Sequence, residues 1–135
     1  MPDTNFADVG KFNEKFGFNY SGPPRELPVE WAWRLKFLKE EIQELEDAVA
    51  AGDLVEQFDA LLDITYVAMG TALLQGFPWQ HGWDEVQRSN MAKRLSIPHE
   101  GRGHMDVRKP EGWKAPDLAE VLQDAKESKE TYPST

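Results

Sequence analysis

The sequence predicts an all-α protein, a bundle of four to five helices built around a central antiparallel helical hairpin. Apolar residues recur every three or four positions over most of the chain, and glycine and proline residues interrupt this pattern. No run of alternating apolar and polar residues is long enough to predict a sheet. With 135 residues, the chain is expected to form a single domain over residues 1–135, with frayed ends at 1–2 and about 126–135.

The first predicted helix runs from Asp3 to about Gly17. Asp3 or Thr4 is suitable as its N-cap, and Gly17 as its stop. Its apolar residues lie three or four positions apart: Phe6, Val9, Phe12 and Phe16. The segment 19–27 contains glycine and consecutive prolines, which predicts an ordered connection or a mobile loop.

The second and third helices form the predicted hairpin. The second runs from Pro28 to about Ala51, with one apolar stripe: Trp31, Leu35, Leu38, Ile42, Leu45 and Val49. Gly52 ends it, and Asp53 with Glu56 resembles a capping box for the third helix, which extends to about Leu74. Because the turn is so short, the two helices must be antiparallel.

The distal third of the chain is less regular. A fourth helix is predicted from about Trp79 or Gly82 to Leu95. The following segment, IPHEGRGHMDVRKPEGWKAPD, lacks periodicity and predicts a long basic loop or a small hairpin before the last helix, which Asp117 can cap.

Composition and charge exclude several classes of protein. The 24 acidic and 15 basic residues give a net charge of −9, which disfavours binding to nucleic-acid polymers and anionic membranes. The absence of cysteine excludes disulfides, thiolate metal sites and cysteine nucleophiles. The sequence contains neither a signal-peptide pattern nor an apolar run of membrane length, so we expect a cytoplasmic protein. A small phosphate ligand remains compatible, since a bound dication reverses the local field.

Two carboxylates on the third helix need an explanation. In the segment FDALLDITYVAMGTALL, Asp59 and Asp63 are the only charged residues, and they share one face with Tyr66 and Gly70. A helix that is apolar on its other faces is expected to be buried in the domain or in an interface. Two carboxylates at ~6 Å repel by about 3 kcal/mol at an effective dielectric constant near 20. They therefore need a partner.

The second helix supplies further acids in the sequence LKEEIQEL. Glu41 and Glu44 lie beside its apolar stripe, next to Glu40, and in an antiparallel hairpin these acids can face Asp59 and Asp63. A shared hard cation removes the repulsion, and oxygen-only ligation predicts Mg²⁺, with Mn²⁺ as a substitute.

Alternatives exist for each of these groups. Acids on a helix commonly form a solvated face, and Asp59 and Asp63 could instead pair with Arg or Lys. Glu56 is suited either to capping or to the metal. A di-iron centre requires Glu-x-x-His spacing, which is absent. The three histidines are predicted to be surface residues: His81, His99 and His104.

Taken in order, these motifs carry a family resemblance. EExxE, followed by ExxD and DALLDITYVAMGTALLQG, resembles the MazG-like all-α nucleoside triphosphate pyrophosphohydrolases. DEVQRSNMAKR and RKPEGWKAPDL resemble the distal half of small stand-alone members, which are often phage-encoded. The matching blocks run from about Trp31 to Leu122.

The resemblance implies Mg²⁺-dependent hydrolysis of a (d)NTP at the α–β phosphate bond, giving (d)NMP and pyrophosphate. It also implies a homodimer or homotetramer with shared sites, and a host cytoplasm if the protein is phage-encoded. The family's first acids correspond to Glu40, Glu41 and Glu44. The second pair is Glu56 and Asp59 by the literal motif, or Asp59 and Asp63 by context. We favour the latter pair because their helix offers no solvated face.

The resemblance also implies roles for individual acidic and basic residues. Metals would bridge Glu41, Glu44 and Asp63, and Glu40 would accept a proton from water. Residues for phosphate contact are Asn90 and Lys93 on the fourth helix, Lys109 and Arg102 in the basic loop, and Arg34. Ordinary solvated surface is the alternative for each. Aromatic residues that could stack a base or fill the core are Trp31, Trp33, Phe37 and Tyr66.

Two other functions fit the same sequence. One is a narrower hydrolase that prefers a purine nucleotide such as dGTP or GTP. The other is a non-catalytic helical dimerisation or regulatory module whose acids hold structural cations. The apolar third helix and five tryptophans favour self-association in either case.

Overall fold

The computed structural model of the protein describes residues 4–28, 31–95 and 107–131, and confirms the all-α prediction. It contains five helices in the described ranges: α1 (Asn5–Lys15), α2 (Trp31–Ala51), α3 (Leu54–Leu74), α4 (Trp79–Met91) and α5 (Leu118–Thr131). Two short strands, β1 (Arg94–Leu95) and β2 (Val107–Arg108), lie between α4 and α5. None of the helices within these ranges has both the length and the hydrophobicity to cross a lipid bilayer.

Helix α1 packs against α3. Thr4 is its N-cap, since the Thr4 hydroxyl accepts a hydrogen bond from the Ala7 N–H at 3.0 Å. The helix ends at Lys15, and Gly17 follows with a φ of +76° that favours glycine. Val9 and Asn13, one turn apart, are buried.

Helices α2 and α3 form the central hairpin, as predicted. Gly52 makes the turn with a φ of +65°, and the Asp53 carboxylate accepts from the Glu56 N–H at 3.1 Å, which confirms the predicted N-cap. Ala48 and Ala60 are buried where the two helices meet. Helix α2 begins at Trp31 rather than at Pro28, and residues 29–30 lie outside the described residues.

The outer face of α3 is exposed in the single chain. We expected a helix that is apolar on most faces to be buried in the domain or in an interface, and in the single chain Leu54 is 76% exposed, Phe58 66% and Leu62 54%. The reason is that the helices packed against α3, which are α1, α2 and α4, leave its outer face uncovered. A broad apolar surface therefore remains open along the hairpin.

The segment 18–28 is an ordered connection along the C-terminal end of α3. The Arg25 N–H donates to the Gln75 carbonyl at 2.9 Å, and Arg25 Nε donates to the Leu74 carbonyl at 3.0 Å. The Arg25 guanidinium also lies 3.5 Å from the centre of the Tyr20 ring. Gly76 is required here, because a Cβ at this position would lie 2.7 Å from Tyr20 Cε2.

Helix α4 ends at Met91, which corrects the predicted end at Leu95. The chain leaves the helix through a tight last turn, in which the Lys93 N–H donates to the Asn90 carbonyl, and Arg94 then pairs antiparallel with Arg108. Of the two alternatives for the basic segment, the structure thus shows a small hairpin, whose residues 96–106 lie outside the described residues.

Helix α5 packs against α4. The Asp117 carboxylate accepts from the Glu120 N–H at 3.1 Å, so Asp117 caps the helix as predicted. The helix extends to Thr131, into the segment 126–135 that was expected to fray.

Candidate active site

Three carboxylates converge between the two helices of the hairpin. Glu41 and Glu44 lie one turn apart on α2, and Asp63 lies opposite them on α3. One oxygen from each carboxylate lies within 4.8 Å of an oxygen of the other two. The antiparallel hairpin brings these residues face to face, as the sequence predicted.

Burial and mutual repulsion raise the pKa of two of these groups. The pKa of Glu41 is raised first by desolvation, and then by the negative charges of Glu44 and Asp63. The pKa of Asp63 is likewise raised by desolvation, and then by Asp59 and Glu44. Within the described residues, no Arg or Lys contributes to either shift. The predicted alternative of salt bridges to basic residues therefore has no support at Asp63.

The cluster has the donor set and geometry for a hard dication. The Oε2 atom of Glu41 is buried and lacks a hydrogen-bond partner, so it is an acceptor in need of a cation. Oxygens on one Mg²⁺ lie at most ~4.2 Å apart, since each bond is ~2.1 Å long. The observed separation of up to 4.8 Å closes with small side-chain rotations. Glu41, Glu44 and Asp63 therefore fit Mg²⁺ or Mn²⁺.

The other predicted acids lie around this cluster rather than in it. Asp59 is exposed, one turn before Asp63, and its negative charge helps to raise the pKa of Asp63. Glu56 is exposed on the first turn of α3. Glu40 is exposed and lines a separate surface depression with Lys36 and Lys39. Among the described residues, the converging set does not include Glu40.

Arg34 lies in the same hairpin, two turns from Glu41. Its Nη2 atom is 3.3 Å from the point that a Cβ on Gly70 would occupy, and its Nε atom is buried without a hydrogen-bond partner. Burial lowers the pKa of the Arg34 guanidinium.

Lys93 and Lys109 are brought together by a residue that sequence reasoning missed. Their ammonium groups lie 5.5 and 5.0 Å from the centre of the Trp113 ring. The Trp113 indole N–H donates to the Ser89 carbonyl at 2.7 Å. The only sequence signal for Trp113 was its place in the block RKPEGWKAPDL.

The remaining candidates lie elsewhere. Asn90 is exposed near the C-terminal end of α4, and Arg102, His99 and His104 lie outside the described residues. His81 is exposed and lines a cavity of about 730 Å³ between α1, α4 and α5, whose walls contain none of the clustered carboxylates. The aromatic candidates are at least 40% exposed, so in the single chain they are not core residues: Trp31, Trp33, Phe37 and Tyr66.

Comparison with known proteins identifies the family. A sequence profile described as phosphoribosyl-ATP pyrophosphohydrolase matches residues 9–90, which include the hairpin and all three clustered carboxylates. An uncharacterized protein of Acanthamoeba polyphaga mimivirus is 37% identical over 83 residues, covering 58% of this chain and 33% of that protein. The match thus spans about a third of that relative's length. The chain belongs to the phosphoribosyl-ATP pyrophosphohydrolase family, within the superfamily of MazG-like all-α nucleoside triphosphate pyrophosphohydrolases.

Proposed function

We propose that the protein hydrolyses the α–β phosphate bond of a (d)NTP and releases (d)NMP and pyrophosphate. The observation that carries this proposal is the convergence of Glu41, Glu44 and Asp63 within 4.8 Å in a chain of this family. Carboxylates in this number and spacing repel one another, and a bound dication removes the repulsion. The same dication attracts a triphosphate to a protein whose net charge is −9.

Glu41, Glu44 and Asp63 would hold Mg²⁺, for which Mn²⁺ can substitute. When bound, the ion supplies a Lewis acid that polarises phosphate oxygens and lowers the pKa of a coordinated water. The residues themselves fix the position of the triphosphate relative to the water, which contributes to the rate by orientation.

We assign the proton acceptor to Asp59 in place of Glu40. Asp59 lies one turn before Asp63, close enough for its charge to raise the pKa of Asp63, and it lies outside the three converging carboxylates, so it is available to accept a proton from water. Glu40 lies in a separate depression on α2, which argues against this role. Glu56 lies on the first turn of α3, where its backbone N–H bonds to the cap, and we do not assign its carboxylate to the metal.

Self-association of the protein would allow its basic residues to take part in the proposed reaction. Lys93, Lys109 and Asn90 are proposed to contact phosphate oxygens, together with Arg102. In the described part of a single chain, Lys93 and Lys109 lie beside Trp113, between α4 and α5, whereas the carboxylates lie between α2 and α3. We propose that a homodimer or homotetramer brings the basic residues of one subunit to the carboxylates of another. The exposed apolar face of α3 supplies the contact surface.

The products distinguish this function from related ones. Incubation of each (d)NTP with the protein and MgCl₂, followed by ³¹P NMR, is expected to show monophosphate and pyrophosphate in equal amounts. Diphosphate with orthophosphate would contradict the proposal. Comparing rates across the eight common (d)NTPs tests the narrower preference for dGTP or GTP, which a flat profile would exclude. Phosphoribosyl-ATP is included because the family carries its name.

A matched pair of variants tests the metal site. Asp63→Asn is expected to abolish turnover while circular dichroism stays unchanged. Asp47→Asn is the control, since Asp47 is an exposed carboxylate on α2 that bonds only to Gln43 among the interactions of the described residues. Retained turnover in Asp63→Asn would contradict the assignment of the metal site, whereas a wild-type protein that binds the cation but hydrolyses no nucleotide would favour the alternative of a non-catalytic module with structural cations.

A further inference from the structure

Arg34 on α2 and Gly70 on α3 each lie two helical turns from the carboxylate cluster. Arg34 precedes Glu41 by seven residues, and Gly70 follows Asp63 by seven, so an antiparallel pair places them opposite each other. Seven residues of helix correspond to a separation of ~10 Å. The 3.3 Å between Arg34 Nη2 and the position of a Gly70 Cβ confirms that the guanidinium lies directly against α3.

The guanidinium of Arg34 is short of acceptors. Its Nε atom is buried without a hydrogen-bond partner, and burial is the only influence that shifts its pKa. In a chain with 24 acidic residues, a cation that is half-buried and without a carboxylate partner in the described structure is unusual. Such a group is destabilising unless an anion comes to it.

A second unsatisfied donor lies in the same part of the fold. Asn13 is 5% exposed, and its Nδ2 atom has no hydrogen-bond partner. One turn earlier on α1, Val9 Cγ1 lies 3.7 Å from the position of a Gly70 Cβ, and the Phe12 ring contacts that of Tyr66 at 5.5 Å. Helix α1 thus runs along α3 from Gly70 towards the carboxylates, and Asn13 follows Val9 in that direction.

We propose that Arg34 and Asn13 form a subsite for the pyrophosphate end of the substrate, and that Gly70 is a positioning residue that leaves room for the guanidinium. The inference rests on the proposed function, because the carboxylate site would hold the other end of the triphosphate. A guanidinium and an amide supply directed N–H donors to phosphate oxygens. There they would stabilise the charge that develops on the leaving pyrophosphate.

The test measures binding rather than turnover. Inorganic pyrophosphate is titrated by calorimetry into protein saturated with Mn²⁺, and Mn²⁺ binding alone is measured separately by electron paramagnetic resonance. Arg34→Met is expected to weaken pyrophosphate binding about tenfold or more and to leave the affinity for Mn²⁺ within about twofold. The matched control is Lys36→Met, which removes one exposed cation from another face of α2 and is expected to change pyrophosphate affinity less than about twofold.

Three further variants separate position from charge. Gly70→Ala retains Arg34 but displaces its guanidinium, and is expected to weaken pyrophosphate binding about threefold or more. Asn13→Leu keeps the branched shape of the side chain and removes the amide, with a similar expected loss. Arg34→Lys keeps the charge and loses the planar fork, so its affinity is expected to fall between those of wild type and Arg34→Met.

The outcomes distinguish this inference from the function on which it rests. Unchanged pyrophosphate affinity in Arg34→Met, with Mn²⁺ still bound, would overturn the subsite and leave the metal site intact. If Arg34→Met fails to fold, unchanged affinity in both Arg34→Lys and Gly70→Ala would overturn it. A wild-type protein that binds no Mn²⁺ would refute the metal site first, and the subsite with it.

Discussion

Trp113 donates its indole N–H to the backbone carbonyl of Ser89 at 2.7 Å, across 24 residues of sequence. Ser89 is 2% exposed, so water cannot readily replace this donor. The bond fixes the segment after β2 onto the last turn of α4. It also places the Trp113 ring beside both Lys93 and Lys109, so one aromatic side chain organises the basic part of the molecule.

We predict that Trp113→Phe keeps the ring and removes this bond. The Ser89 carbonyl then lacks its partner, and the free energy of unfolding is expected to fall by about 1 kcal/mol. Trp113→Ala also removes the aromatic ring beside Lys93 and Lys109. It is therefore expected to raise KM for the nucleotide more than Trp113→Phe does. Urea unfolding and steady-state kinetics measure the two effects. As the control, Trp33→Phe at a 70% exposed position is expected to stay within about 0.5 kcal/mol. An equal loss of unfolding free energy in Trp113→Phe and Trp33→Phe would contradict the role of the bond.

The carboxylate cluster predicts how stability depends on pH. Since the pKa values of Glu41 and Asp63 are raised in the folded protein, the fold binds more protons than the unfolded chain above about pH 4. The free energy of unfolding of the metal-free protein is therefore expected to decrease as pH rises through the raised pKa values. Asp63→Asn removes one of the two titrating groups, so the free energy of unfolding of the variant falls less as pH rises. The stability of the variant relative to wild type is therefore expected to increase with pH.

Divalent ions are expected to cancel this loss. Denaturant unfolding in EDTA and in MgCl₂, each measured from pH 5 to pH 7.5, gives the comparison. At pH 7 a Mg²⁺ concentration of ~100 Kd is expected to stabilise the fold by about 2.7 kcal/mol, and the gain shrinks as protons compete at low pH. Stability that is equal with and without Mg²⁺ at pH 7 would contradict a cation site at the cluster.

We predict that substitutions at Glu56 and Asp63 change the affinity for Mn²⁺ to different extents, although both residues were candidate metal ligands. Glu56 is exposed at the start of α3, whereas Asp63 contributes an oxygen to the converging set. Glu56→Gln is therefore expected to retain the wild-type affinity for Mn²⁺ within about twofold, because its backbone N–H still bonds to Asp53. Asp63→Asn is expected to lose most of that affinity. Titration of Mn²⁺ by electron paramagnetic resonance compares them, and a large loss in Glu56→Gln would restore the literal ExxD assignment.

The hairpin and its acidic cluster could be predicted because both depend on local sequence. The period of apolar residues defined α2 and α3, Gly52 and Asp53 defined their turn, and the short turn required antiparallel packing. Helix geometry then showed which acids share a face of each helix, and so could meet across the hairpin. The same geometry does not separate Glu40 from the other two acids of α2, because Glu40 and Glu44 lie one turn apart.

Long-range packing was not predictable in the same way. The bond between Trp113 and Ser89 and the pairing of Arg94 with Arg108 join residues with no local pattern, and strands of two residues show no alternation. The contact of Arg34 with α3 needed the register of the hairpin, which only the structure supplies. The sequence predicted that α3 is buried in the domain or in an interface, but apolar content alone does not tell whether the same chain or another one covers the helix.

We predict that the exposed face of α3 is the contact surface of an oligomer. Phe58 and Leu61 are 66% and 53% exposed, and large apolar surfaces of this kind usually mark protein contacts. Phe58→Glu would bury a charge in such an interface, so it is expected to lower the mass measured by light scattering to that of one chain, 15.4 kDa. Leu95→Glu, at a 70% exposed position on β1, is the matched control and is expected to leave the mass unchanged. If the wild-type protein is itself monomeric at micromolar concentration, the shared-site arrangement of Lys93 and Lys109 with the carboxylates is refuted.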